Sequence, residues 1–264
     1  MNPNSKAIFA LGAACLLGTL SSQAALVSYS AGDLLLGVRA TSGVGSGSDY
    51  VINLGQASTY RDAVGVDASN PMTVNAGNFT ADLVALFGSN WATRSDLQWG
   101  IAGTSSNTAT VGGDPVATLY LSRSQSAVNV PGLSPTIDSE TIRLGISTRL
   151  VGAADTFDSY EQAPNSAVAA IQGTGDANSW RSYMATGGVA QNTPGNTDFG
   201  SGLNIETTPN RTLSLFRFTD NNSATYEGYF AIGNGGVTFV PEPTSALLGG
   251  LGSLLLLVRR RRNA

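Results

Sequence analysis

A mainly β fold is what this sequence predicts, and three observations carry that expectation. Charged residues make up 12% of the chain, about half the usual globular share of roughly 25%. Glycine is plentiful, at 32 residues, and most of the polarity comes from Ser, Thr and Asn. Short runs rich in β-branched and aromatic residues recur between turn residues, with no fixed-period repeat. The expected architecture is a single β-sandwich-like domain over 25–239 with a few inserted helices. A leader over 1–24 and an apolar tail over 240–264 flank it. A division near Ser124–Pro135 is the alternative organisation.

Residues 1–24 have the form of a signal peptide. Lys6 supplies the positive start, Ala7 to Leu20 the apolar core, and Ser22-Gln23-Ala24 a small-residue cleavage site before Ala25. The Sec export machinery is therefore an expected partner. Leu34–Ala40 and Tyr50–Leu54 read as strands joined by the loop "GVGSGS". Asn78 or Thr80 can cap a helix running to Phe87, with Gly88 as its terminator. Leu97–Ala102 and Val116–Ser122 are further strands, separated by the polar tract Thr104–Gly113. Ser139 precedes "ETIRLGISTRL", where Ile142, Ile146 and Leu150 recur at helical spacing. Ser166–Gln172 reads as a weaker helix, and Asn178–Met184 as a short helical turn. After a second polar tract, Gly187–Gly202, strands are expected at Leu213–Thr219, Gly228–Ile232 and Val237–Val240. In "LSLFRF" both alternating sets carry apolar residues, which fits a strand covered on both faces.

Composition excludes several kinds of chemistry. The chain has no His, its one Cys is Cys15 and its one Lys is Lys6, so 25–264 lacks all three. Ser-His-Asp and Cys-His catalysis, Schiff-base lysines, disulfides and the usual zinc sites are thereby ruled out for that part. Over 25–240 there are nine Arg against seventeen Asp and Glu, a net charge of 9 − 17 = −8. Such a body repels nucleic acid. Asp155, Asp158 and Glu161 cluster in sequence, as do Asp138 and Glu140, but all suit turns and helix ends. "DNNSATYEG" from Asp220 departs from a calcium-loop pattern, and "GVGSGS" from a dinucleotide fingerprint. No catalytic residue, metal or cofactor is expected. Trp91, Trp99 and Trp180 could stack on sugars, although a lone Trp is more often core. A carbohydrate-binding module, and behind it a hydrolase with paired carboxylates, are the alternatives to a non-enzymatic surface protein.

The tail is the most specific part of the sequence. Val240 is followed by Pro241, Glu242 and Pro243, and the prolines favour an extended segment around Glu242. Then come thirteen uncharged residues, Ala246 to Val258, including Leu247, Leu248, Leu251, Leu254, Leu255, Leu256 and Leu257. As a helix this run would extend about 20 Å, short of the roughly 30 Å of bilayer hydrocarbon. Arg259, Arg260, Arg261 and Arg262 follow it and would hold that end in the cytoplasm. This order of parts closely resembles the PEP-CTERM sorting signal. "YSAGDLLLGVRA", "YVINLG", "LFGSNW" and "LQWGIAG" also look like pieces of PEP-CTERM proteins of verrucomicrobial type. The resemblance implies an exosortase-like membrane enzyme as partner, a transient inner-membrane tether and delivery to the cell surface or extracellular matrix. It also implies an association with exopolysaccharide.

Overall fold

A computed structural model describes residues 25–125, 137, 139–184, 205–221 and 223–242. The leader over 1–24, Pro243, the apolar run and the arginine cluster lie outside the described residues, as do Asp138 and the tract Gly187–Gly202. Among the described residues no helix is long and apolar enough to cross a membrane.

The chain is mainly β. β1 (Asp33–Ala40) and β2 (Ser48–Gln56) form a hairpin, with Val38 opposite Tyr50. α1 (Ala57–Arg61) and the short β3 (Met72–Val74) follow, then α2 (Phe79–Phe87) and a 3-10 turn at Trp91–Thr93. α2 starts after Asn78 and stops at Gly88, whose φ of 92° is a conformation that glycine adopts without strain. β4 (Leu97–Thr104) leads through a loop to β5 (Leu119–Ser124). This strand starts three residues later than Val116, because Pro115–Thr118 forms a turn with Ala117 at φ 55° and Thr118 N–H donating to Pro115 O.

α3 (Glu140–Phe157), the longest helix among the described residues, is capped by Ser139 Oγ, which accepts from Ile142 N–H at 3.3 Å. β6 (Gln162–Ala163) and β7 (Ser166–Gly173) come next. Ser166–Gln172 is thus a strand, not the weak helix its alanines suggest. Its backbone pairs with β2 from Ala169 to Gly173, and that pairing overrides local propensity. α4 (Trp180–Met184) matches the expected helical turn. β8 (Glu206–Thr207), β9 (Leu213–Phe218), β10 (Ala224–Gly233) and β11 (Gly236–Pro241) are the last elements among the described residues.

All these strands belong to one antiparallel sheet, ordered β3-β11-β10-β9-β5-β4-β1-β2-β7-β6, with β8 pairing beside β4. The two stacked sheets of a sandwich are replaced by one continuous sheet that curls. Curling has a direct cause in the side chains. Alternate residues such as Leu36, Ile52, Leu213 and Phe239, from strands far apart in the order, share one core with Tyr60, Phe79, Trp91 and Trp99. Rings from α1 and the far edge close it, with Tyr60 5.0 Å from Phe230 and 5.2 Å from Phe239. The opposite face buries Leu35, Val51, Phe216 and Phe218 against Ile142, Ile146, Leu150, Ala154 and Phe157 of α3. β9 supplies Leu213 and Leu215 to the first core and Phe216 and Phe218 to the second, as a two-faced strand should.

Candidate functional site

The three tryptophans are structural. Trp91 and Trp99 are fully buried and Trp180 is 4% exposed, so none presents a ring face to a sugar. Trp91 meets Phe79 edge-on at 5.5 Å, and Trp99 Nε1–H donates to Thr208 O. Trp180 lies over β1 and β4 where Gly37 and Gly100 leave room; a Cβ at Gly37 would overlap its ring. Its Nε1–H donates to Glu206, whose two carboxylate oxygens share the single Arg39 Nε–H at 2.9 and 3.0 Å while Oε2 also accepts from Arg39 Nη2. Sequence reasoning missed this clamp, because the glycines that admit the ring lie about 80 and 143 residues before it (180 − 100 and 180 − 37).

Two other charge clusters are also internal. Asp114 joins Arg61 at 2.7 Å, Arg217 at 3.1 Å and the Tyr120 hydroxyl at 2.7 Å. Arg217 also reaches Glu227 at 2.7 Å. These groups tie α1 and the β4–β5 loop to β5, β9 and β10. Asp49 is fully buried on β2, where Oδ2 accepts Arg181 N–H while Oδ1 stands 3.8 Å from Arg181 Nε. Burial pushes its carboxyl above the usual range, with Arg181 opposing the shift.

A cleft of about 370 Å³ with a mixed polar and apolar lining opens between Tyr29, the β4–β5 loop at Ser105–Thr108 and the last turn of α3. α3 places Asp155 and Asp158 there, so two of the acids clustered in sequence do face one cleft. Both come from a single turn, which puts their Cβ atoms on the order of 5–6 Å apart on the same wall. Asp158 is pushed above its usual range by burial and by the charge of Asp155. Tyr29 is pushed up as well, first by burial and then by Asp33 and Asp155, and so keeps its proton. The loop wall is shaped by Ser106 Oγ, which accepts from Thr108 and Ala109 N–H, and Asn107 Nδ2 donates to Thr148 at 3.4 Å. Glu161 leaves the group: it bridges Leu26 through the backbone. Glu140 stays on the surface, 4.0 Å from Arg143. Among the described residues no group of three or more Asp, Glu, Cys or His could hold a metal ion.

The first residues of the Pro-Glu-Pro segment are part of the sheet. Val240 pairs with Tyr229 and Pro241 with Gly228, and Glu242 N–H donates to Glu227 O at 3.1 Å. Antiparallel pairing alternates direction, so the nitrogen of Pro241 faces away from β10. On that side β3 has already ended, its last pair being Met72 with Phe239. The missing N–H therefore removes no ladder bond, which is why proline fits here. Gly228 at φ 136° allows the close approach, since a Cβ would run into Val240 O. Ala25 is exposed at the other end of the described chain.

Comparison with protein-family models, with curated proteins and with solved structures gives no match for this chain.

Proposed function

We propose that this chain is a non-enzymatic surface or matrix protein, exported through its leader and sorted by an exosortase-like enzyme through its tail. The observation that carries the reading is the order of parts in the tail: Pro-Glu-Pro, a thirteen-residue apolar run, then four arginines. The geometry around Pro241 is compatible with it. Glu242 is exposed and extended, at the sheet's last backbone bond, and only Pro243, Thr244 and Ser245 separate it from the apolar run. The body would then sit within about 13–14 Å of that run even if the four Cα–Cα steps from Glu242 to Ala246 were fully extended. Against a carboxylate hydrolase stands the placement of Asp155 and Asp158 on one wall, because glycoside cleavage needs two carboxyls flanking the scissile bond.

The test uses the full chain in an exporting host, with fractionation and mass spectrometry of the C-terminus. Replacing Arg259–Arg262 with Gln should release an uncut protein into the periplasm or medium. The run is too short to stop firmly by burial alone. Pro241→Ala with Pro243→Ala should leave the chain in the membrane, unprocessed. Processing and localisation of both variants like the native chain would remove the sorting reading.

A further inference from the structure

We propose that the cleft beside Asp155 and Asp158 binds one or two rings of a saccharide that carries no negative charge. This extends the surface-protein reading to a ligand but does not depend on the tail. The cleft, at about 370 Å³, lies within the usual 300–1,000 Å³ range of small-ligand sites. Its lining mixes the two surfaces that a sugar ring offers partners for. Tyr29 and Val151 provide apolar area for ring C–H groups, and the Ser106–Thr108 loop and the two carboxylates provide hydrogen-bonding groups for hydroxyls.

The chemistry narrows the class further. A carboxylate only accepts, and it binds O–H and N–H donors more strongly than a neutral acceptor does. Ligands rich in donors are favoured, and phosphates, sulfates and uronates are repelled. Among the described residues no arginine or lysine lines the cleft to offset the repulsion. The acids also gain nothing from α3 itself. They stand at its C-terminal end, where the helix dipole disfavours negative charge. Tyr29, held protonated, adds one donor for a ring or hydroxyl oxygen.

The test titrates the full chain, in a zwitterionic detergent free of sugar, with three oligosaccharides. These are a neutral glucose tetramer, a glucosamine tetramer and a galacturonate tetramer, followed by calorimetry or by shifts in protein NMR signals. The neutral tetramer should bind, the glucosamine tetramer should bind more tightly, and the galacturonate tetramer should not bind. Asp155→Ala and Asn107→Ala should each weaken binding tenfold or more without moving the melting temperature. Asp155→Asn should keep the neutral sugar and lose the gain from the amine. Absence of binding by both uncharged and amino tetramers at millimolar concentration overturns the proposal. So does equal binding of the uronate, or binding that survives the Asp155→Ala, Asn107→Ala double variant. Each of these results leaves the C-terminal mass measurements of the sorting test unaffected.

Discussion

Asp49 shows what single residues contribute to this fold, because its carboxylate is buried with Oδ1 lacking a hydrogen bond. Its folded-state pKa lies above that of the unfolded chain, so the native state holds the proton more tightly. Stability from this group is greatest below the unfolded value of 3.8 and falls as pH rises through the folded value. Asp49→Asn keeps an acceptor for Arg181 N–H and removes the buried charge. It should raise the melting temperature at pH 7 and leave it unchanged near pH 3. A lower melting temperature at pH 7 would mean that the Arg181 attraction outweighs burial. Asp96 has the opposite sign: hydrogen bonding from Arg94 lowers it to about 2, so its contribution is fully present above 3.8 and is lost as pH falls from there through about 2. A second substitution tests the glycine cradle. Gly37→Ala forces its methyl into the Trp180 ring and should cost about 1–3 kcal/mol by overpacking. Chemical denaturation of the full chain reads that loss, and a neutral result would show that Trp180 can move aside.

Elements differ in how plainly their own residues announce them. α3 is readable from Ser139 and from Ile142, Ile146 and Leu150, because a cap and an apolar stripe are local signals. Ser139→Ala should accordingly cost about 1 kcal/mol, measured by urea denaturation. β1, β2 and β9 are readable from local signals too, their leucine, β-branched and aromatic content and the turn residues that bound them. β3, β6 and β8 are not. Each is two or three residues long; β3 and β8 exist because a distant strand offers a free edge, at Val237–Phe239 and at Trp99–Gly100, and β6 because the chain folds straight back into β7. β7 is hidden by its alanines, of which Ala169 and Ala170 are fully buried beside β2, one in each core. The cleft divides in the same way. Asp155 and Asp158 can be paired from sequence, whereas Tyr29 and Asn107 stand 126 and 48 residues earlier (155 − 29 and 155 − 107) and meet them only through the sheet.

On the scale of the whole molecule, one sheet with cores on both faces should behave as one cooperative unit. Phe239→Ala on one face and Phe157→Ala on the other each remove a fully buried ring, and each should cost about 3–5 kcal/mol. Both losses should appear in the same transition, followed in parallel by far-ultraviolet circular dichroism and tryptophan fluorescence. Two resolved transitions in either variant would mean that the faces fold separately. The position of β11 carries a consequence in time. Val74 and Val237 are strand partners, yet they stand 163 positions apart in the chain (237 − 74). At synthesis rates of roughly 5–20 residues per second, β3 is made about 8–33 s before its neighbour exists. Throughout that interval Tyr60 lacks Phe230 and Phe239, and the early strands hold an uncovered apolar surface. A nascent chain in that condition needs a holding chaperone, and ribosome-stalled chains should shed it only once Gly236–Pro241 has emerged from the exit tunnel.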